Sequence, residues 1–264
     1  MIALLSNPDM QHDAPQPPPL PWLAPGDAFP PLDQAWDGSS PAPGLLAAGA
    51  QLDADQLLLA YRQGVFPWYS PGQPVLWWSP DPRMVLQPGH FRFRRSLRQS
   101  LRQWLARPDV ALVFDRDFPQ VMARCASQPR VGQRGSWIVP DIVRAYTALH
   151  HRGLAHSAEL WQNDQLVAGL YFVALGRAVF GESMFTTVRD GSKMALSLLV
   201  SVARHHGVGM IDCQQNTRHL ASLGAAEMPR AQFLDHVQQA QDQPAIDWPR
   251  ETLYWDALLC DPSP

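Results

Sequence analysis

The chain has 264 residues, of which 46% are hydrophobic and 17% are charged, and its net charge is −3 at pH 7. This composition is typical of a globular protein with one large domain or two modest ones, and it excludes a disordered or fibrous chain. The net negative charge means that any surface binding a polyanion must be local. Three distant cysteines without metal-ligand or redox spacing favour a reducing, cytoplasmic setting.

No membrane association is expected from the sequence. No apolar run reaches the ~18 residues that a spanning helix needs. The first residues lack both the basic flank and the small-residue cleavage site of a signal peptide.

The N-terminal segment is rich in proline: residues 1–43 contain 11 of the 26 prolines. Such a density forms neither a helix nor a central strand. We predict an extended arm that packs on the protein surface through Trp22, Phe29 and Trp36.

A small N-terminal domain is predicted over residues 44–108. Asp53 has the properties of an N-cap, and Gly64 those of a helix stop, so a short helix is expected between them. Residues 75–78 and 84–87 are β-prone and are separated by a proline-rich turn.

The end of this domain is a basic stretch, FRFRRSLRQSLRQWLAR, with six arginines and no acidic residue. Leu97 and Leu101 fall on one helical face. An arginine row without carboxylates is suited to a phosphate backbone, and the alternative is a solvated face in an arginine-rich protein. The arginines that share another face of this helix are Arg95, Arg98 and Arg102.

A larger domain is predicted over residues 109–242, followed by a C-terminal tail over 243–264. A helix is expected from Pro140, then a hairpin with its turn at Asn163-Asp164. A third strand, a long helix from Asp190, a further strand over residues 208–212 and a short helix follow. This order predicts an α+β fold with a mixed, largely antiparallel sheet.

The candidate catalytic residues lie after apolar, strand-like runs. A carboxylate beside apolar residues gains a raised pKa and becomes a better base, so Glu182 and Asp212 are candidates, each with a structural role as the alternative. Cys213 offers a possible nucleophile. Strand alternation disfavours it, because Cys213 turns to the core if Asp212 and Gln214 face the cleft. His219 is expected to support the loop from a helix.

Aromatic residues cluster over residues 61–78, where they either stack on a base or form the core of a small domain. This cluster contains FPWYSP and WWSPDPR, and GESMF, SKMAL and IDCQ follow in order. Together these motifs closely resemble the leucyl/phenylalanyl-tRNA–protein transferase family over about residues 44–235. The proline-rich arm and the tail lie outside the resemblance.

The resemblance implies an activity and a fold. The enzyme would move leucine or phenylalanine, and methionine less well, from aminoacyl-tRNA to proteins with an N-terminal arginine or lysine, marking them for degradation. No ATP, metal or other cofactor is implied, because the aminoacyl ester is already activated. A small α/β domain would precede a catalytic domain of the GNAT acyltransferase type, and we expect a monomer.

The resemblance also implies residue roles. Asp212 would be the base, Gln214 would orient or relay its proton, and Glu182 would hold the 3′-terminal adenosine and aminoacyl group or the cationic acceptor. Arg95, Arg98 and Arg102 would bind the tRNA acceptor stem through its phosphates. The residues implied for the 3′-terminal adenosine are Tyr61, Trp68 and Trp137, and those implied for the apolar aminoacyl pocket are Leu170 and Leu199.

Two other classes of protein stay open from the residues alone. A coenzyme A-dependent acetyltransferase needs a glycine-rich pyrophosphate loop before the long helix, and TVRDGSK, with one glycine, is a weak match. A non-catalytic RNA-binding module would account for the arginines and aromatic residues. It would leave Glu182, Asp212 and Gln214 without a role.

Overall fold

A computed structural model describes residues 19–128 and 138–259 of the chain. Eight α-helices and eleven strands are defined within these ranges. The helices are α1 (Ala54–Arg62), α2 (Arg95–Leu105), α3 (Phe118–Ser127), α4 (Pro140–His151), α5 (Gly191–His205), α6 (Arg218–Ser222), α7 (Arg230–Ala240) and α8 (Trp255–Leu259).

The strands form two sheets. The smaller sheet has the order β1-β2-β4-β3, and the larger has the order β11-β5-β10-β9-β8-β7-β6. The strands are β1 (Trp22–Leu23), β2 (Leu45–Gly49), β3 (Phe66–Pro67), β4 (Leu76–Trp78), β5 (Arg83–Leu86), β6 (Val110–Phe114), β7 (Ala155–Gln162), β8 (Gln165–Leu175), β9 (Ala178–Thr186), β10 (Ile211–Gln214) and β11 (Ala226–Met228).

The larger sheet is mixed and largely antiparallel, as the sequence predicts. Of its six strand pairings in the described residues, the one between β9 and β10 is parallel. The β7–β8 hairpin turns at Asn163 and Asp164, whose φ angles are 49° and 55°. Two consecutive left-handed residues match the right-handed twist of the flanking strands, which explains why this dipeptide predicted the turn correctly.

Local signals also set the helix ends. Asp53 caps α1 by accepting a hydrogen bond from the Gln56 amide at 2.9 Å. Pro140 starts α4 as expected. The strand predicted over residues 208–212 is shifted, because β10 begins only at Ile211. Helices α3 and α7, and strand β6, have no counterpart in the prediction.

Alternate residues of β8 divide the core into two layers. Leu170 and Phe172 face one layer, which α5 fills with almost entirely buried residues. Tyr171 and Val173 face the other, where α3, α4 and the smaller sheet pack. The larger sheet is therefore covered on both sides, which explains why its central strands are apolar at almost every position.

Two findings differ from the predicted division of the chain. Strand β5 lies in the larger sheet between β10 and β11, so the sheets separate before β5 and not at residue 108. The segment predicted as a tail packs into the core, because Trp248 is 1% exposed and contacts Phe114 and Phe172 at ring distances of 5.4 and 4.8 Å. The hydrophobic effect favours burial of these apolar side chains. The segment is short and has no apolar periodicity, so its sequence contains no signal that it would be buried.

None of the helices in the described part of the chain is long and apolar enough to cross a membrane.

Candidate active site

A cavity of about 990 Å³ lies between the larger sheet, α5 and α6. Five leucines, an isoleucine and a methionine are seven of its sixteen lining residues. Helix α6 supplies exposed residues, so the cavity is open beside that helix. An apolar wall of this kind suits an apolar ligand group. The lining residues are Leu86, Leu170, Tyr171, Gly181, Glu182, Ser183, Met184, Leu196, Leu199, Ile211, Cys213, Gln214, Thr217, Arg218, His219 and Leu220.

The polar end of the cavity lies where two parallel strands part. The β9–β10 pairing includes Phe180 opposite Asp212 and extends no further. Beyond that point the β8–β9 pairing has a register shift between Gly181 and Ser183. The β5–β10 pairing has another between Asp212 and Gln214. Glu182 and Gln214 therefore stand on either side of the gap, with Gln214 Nε2 donating to Glu182 Oε1 at 3.4 Å.

Glu182 is held by two buried tyrosines from different helices. The Tyr61 hydroxyl of α1 donates to Oε1 at 2.6 Å, and the Tyr146 hydroxyl of α4 donates to Oε2 at 3.1 Å. The two hydroxyl oxygens also lie within hydrogen-bonding distance of each other. Each hydroxyl carries one proton, so while Glu182 is ionised two of these three contacts are hydrogen bonds at a time. Burial and the nearby carboxylate raise the pKa of both tyrosines well above 10, so they stay protonated donors.

The Glu182 carboxyl is poised to titrate near neutral pH. Its pKa is raised to about 7, chiefly because burial disfavours the charged form. The hydrogen bond from Tyr61 lowers this pKa, and the negative charge of Asp212 raises it. The hydrogen bond from Tyr146 and the positive charge of Arg83 make smaller contributions that lower it. A carboxylate with such a pKa can take a proton from an amine and release it again.

Asp212 is buried and ion-paired. It is 1% exposed, and Arg83 Nε and Nη2 donate to its two oxygens at 2.8 and 2.6 Å. Oδ1 also accepts the Gln214 backbone N–H at 2.9 Å. Asp212 is absent from the cavity wall among the described residues, so it reaches the cavity only through Gln214.

The predicted facing of this strand is wrong for two of its three residues. Asp212 and Cys213 do point to opposite sides, but Cys213 borders the cavity and Asp212 lies on the far side with Arg83. Gln214 borders the cavity although it is two residues from Asp212, because its φ of 56° breaks the alternation.

Cys213 is nevertheless poorly suited to attack. Burial raises its pKa far above the ordinary value, and the Asp212 charge adds to the effect. The thiol would therefore stay protonated. His219, expected to support the loop, lies on α6 at the cavity wall, and burial followed by the Lys193 charge lowers its pKa.

The structure describes two of the three implied adenosine residues, Tyr61 and Trp68. Tyr61 is completely buried and touches Glu182, so its ring offers no surface to a base. Trp68 is partly buried and packs on Trp78 with ring centroids 5.4 Å apart. Trp137 lies outside the described residues. Leu170 and Leu199 both line the cavity.

The basic stretch forms helix α2 as predicted, with Leu97 and Leu101 buried. Arg95 and Arg102 are exposed and Arg98 is partly buried. The Arg98 Nε atom is buried and has no hydrogen-bond partner among the described residues. No carboxylate pairs with these three arginines in the described residues.

The start of α5 disfavours the acetyltransferase alternative. A pyrophosphate would need the free amides of this helix N-terminus. Asp190 stands at the N-cap position without bonding these amides, and its carboxylate, which pairs with Lys193 at 2.7 Å, puts a negative charge there. A second anion beside it would be repelled.

Arg83 and Tyr146 belong to the site but are not predicted from the sequence. Arg83 has a faint signal, since it is a cation at the start of an apolar, β-prone run. Tyr146 has none, because an aromatic residue on the inner face of an amphipathic helix is ordinary core.

The family model described as leucyl/phenylalanyl-tRNA protein transferase matches residues 85–238, and the model of its N-terminal domain matches residues 50–81. The leucyl/phenylalanyl-tRNA–protein transferase of Polaromonas sp. (strain JS666) is 56% identical over 248 residues, covering 94% of this chain and 97% of that one. The protein of the same name from Albidiferax ferrireducens is 56% identical over 244 residues, covering 92% and 96%.

These matches define a transferase family, and they extend over nearly the whole chain. The chain belongs to the leucyl/phenylalanyl-tRNA–protein transferase family. Among solved structures, the C-terminal domain of a putative lysylphosphatidylglycerol synthetase from Agrobacterium fabrum covers 76% of this chain and 60% of its own at 12% identity, with a TM-score of 0.35. That likeness is too distant to bear on the fold.

Proposed function

We propose that this protein transfers leucine or phenylalanine, and methionine less well, from aminoacyl-tRNA to proteins with an N-terminal arginine or lysine. The transferred residue would mark the acceptor for degradation. The observation that supports this best is the apolar cavity ending at Glu182, a carboxyl with a pKa of about 7. Such a cavity suits an apolar aminoacyl side chain, and such a carboxyl suits proton transfer from an amine.

The reaction is aminolysis of an ester. The acceptor nitrogen attacks the ester carbonyl, a C–N bond forms, and the C–O bond to the terminal ribose breaks. The nitrogen loses a proton and the ribose oxygen gains one. Holding ester and amine together would by itself lower the barrier by up to ~7–11 kcal/mol.

Glu182 is better placed than Asp212 to receive the proton. It lines the cavity, whereas Asp212 does not and is ion-paired with the buried Arg83 guanidinium. In this scheme Gln214 orients the Glu182 carboxylate through its side-chain amide. Asp212 does not contact the substrate in this scheme; it fixes Gln214 by accepting a hydrogen bond from its backbone N–H.

The tRNA would lie along α2, whose arginines would contact phosphates and give little sequence discrimination. Arg95, Arg98 and Arg102 are the proposed contacts, with Trp68 and Trp137 toward the terminal adenosine. Leu170 and Leu199 would contact the aminoacyl side chain. A change of one methylene there alters preference by only ~1–3 kcal/mol, so a range of apolar donors is expected.

Three further features belong to this proposal. The protein works as a monomer in the cytoplasm, where charged tRNA and new protein N-termini meet. It needs no cofactor, since the ester supplies the driving force. The larger sheet is of the GNAT type, which the parallel β9–β10 pair within an otherwise antiparallel sheet supports.

The test is transfer of radiolabelled leucine from leucyl-tRNA to a peptide that begins with arginine. A peptide of the same composition that begins with glutamate is the control, and acetyl-coenzyme A replaces the tRNA in a parallel reaction. We expect label on the first peptide only. No transfer from tRNA, with acetylation of either peptide, would overturn the proposal.

A further inference from the structure

Arg83, the first residue of β5, is a fully buried cation behind the candidate active site. Its side chain has no exposed surface, and its guanidinium grips both oxygens of Asp212 at 2.8 and 2.6 Å. The rings of Phe66 and Phe233 also contact the guanidinium, with centroids 4.8 and 4.6 Å from Cζ. Ion pair and aromatic rings together restrict its movement.

Stability alone does not account for this arrangement. A buried ion pair is often replaced by apolar residues of similar volume without loss of stability, because both charges lose their hydration. The Arg83 Nη1 atom also has no hydrogen-bond partner among the described residues, which adds to the cost of burial. A position with only a packing role would favour an apolar residue.

The carboxylate that Arg83 grips leads directly to the site. Asp212 Oδ1 accepts the Gln214 backbone N–H at 2.9 Å, at the point where Gln214 adopts a left-handed φ of 56°. This bond supports a conformation that a non-glycine residue seldom adopts. Gln214 in turn donates from its side chain to Glu182. A continuous chain of contacts thus joins β5, β10 and β9.

We propose that Arg83 is a positioning residue for aminoacyl transfer: by fixing the Asp212 carboxylate it holds Gln214, and through Gln214 the Glu182 carboxylate, where the attacking amine delivers its proton. The inference rests on the proposed function. Arg83 does not line the cavity. It acts through the planar fork of its guanidinium, which a lysine ammonium cannot reproduce.

The charges give this role a distinctive pH signature. At Glu182 the Asp212 charge raises the pKa and the Arg83 charge lowers it, so the two oppose each other. If only the Arg83 charge is removed, Asp212 is left to raise the Glu182 pKa further. Because the base acts when deprotonated, the rise of rate with pH then moves to higher pH. Among the described residues, the other titratable or charged groups at Glu182 or along the cavity wall are Tyr61, Tyr146, Tyr171, Cys213, Arg218 and His219.

The experiment compares Arg83→Gln and Arg83→Lys with wild type in the full chain. Arg204→Gln is the control, since the Arg204 guanidinium is partly buried and donates to the backbone carbonyls of Pro88, Gly89 and Ala257. Three quantities are measured for each protein: thermal unfolding, affinity for leucyl-tRNA, and single-turnover transfer to an arginine-initiated peptide across neutral pH.

We expect Arg83→Gln to lower the transfer rate on the order of 10- to 100-fold, the effect of a displaced catalytic group, with little change in tRNA affinity. Its pH–rate rise should move to higher pH. Arg83→Lys keeps the charge, so its pH–rate rise should stay in place while its rate falls. Arg204→Gln should lower the unfolding temperature without moving the pH–rate rise.

Suppose that wild type transfers leucine and that folded Arg83→Gln has the same rate and pH profile. This result would overturn the role of Arg83 and leave the proposed function intact. If Arg83→Gln does not fold, Arg83→Lys becomes the test. A wild-type transfer rate in Arg83→Lys would show that the planar guanidinium is not needed, which overturns the inference. A rate loss in Arg83→Gln that merely follows the unfolded fraction, as in Arg204→Gln, would assign a structural role instead. A wild-type protein that transfers nothing overturns the proposed function and this inference with it.

Discussion

At the scale of single residues, the environment of Glu182 determines what the candidate site can do. Burial raises the pKa of this carboxyl to about 7, whereas hydrogen bonds from Tyr61 and Tyr146 work in the opposite direction. A glutamate without these donors would titrate at higher pH, and one in water would be a much weaker base at neutrality. The two hydroxyls therefore tune the group as well as orient it.

The pH dependence of transfer should show this tuning. Wild type should gain rate as the pH rises through about 7, where Glu182 loses its proton. Tyr146→Phe removes a donor that stabilises the carboxylate, so the pKa of Glu182 rises and the midpoint should move up by about one pH unit. The measurement is single-turnover transfer against pH at saturating leucyl-tRNA.

Glu182→Gln is the control for that assignment, because it removes the titrating group while keeping a similar shape. Its rate should fall on the order of 10²- to 10⁴-fold, and the rise near neutral pH should disappear. A Tyr146→Phe midpoint that moves to lower pH would contradict the role given to the hydroxyl.

At the scale of elements, helix α2 has an apolar stripe that faces the core and a basic face whose arginines pair with no carboxylate in the described residues. Leu97 and Leu101 anchor it, and the rings of Phe93 and Trp255 lie 5.7 and 5.6 Å from the Cζ atoms of Arg98 and Arg102. The aromatic contacts hold two guanidiniums against the surface without neutralising them. Such a face attracts phosphates over a range set by the salt concentration.

Arg98→Ala should weaken binding of leucyl-tRNA and lower the slope of log K against log salt by about 1, the contribution of one phosphate contact. Filter binding over a range of salt measures both quantities. Arg116→Ala is the control, since Arg116 is an exposed arginine that already pairs with Asp164 at 2.8 Å. Equal losses in the two variants would contradict a specific role for α2.

At the scale of the whole molecule, the C-terminal segment completes the core. Trp248 is 1% exposed and packs with Phe114, Phe172 and His156 beneath the larger sheet. The same segment continues into α8, which lies along α5. The helix that lines the cavity is therefore supported from residues far beyond the recognisable motifs.

Trp248→Ala should lower the free energy of unfolding by ~3–5 kcal/mol, because a large buried ring leaves a cavity behind. Trp22→Ala is the matched control: Trp22 is 70% exposed, and its loss should change stability by no more than ~0.5 kcal/mol. Urea denaturation of the two variants and wild type gives the comparison. Similar stabilities would show that the C-terminal segment contributes little to the core.

The sequence by itself determined the features that depend on neighbours along the chain. The Asp53 cap, the Asn163-Asp164 turn and the amphipathic α2 follow from local hydrogen bonding and spacing. The motifs also identified the family and singled out Glu182, Gln214 and Asp212 as candidate site residues.

Only the tertiary structure decided which way those side chains face and what they touch. Alternation separates Asp212 from Cys213 but cannot say which of them meets the cavity, since that depends on the layers packed on each side of the sheet. Arg83 settles it by pairing with Asp212 across neighbouring strands, 129 residues apart in sequence. Contacts of such separation leave no periodic signal, so they emerge only when the chain is folded.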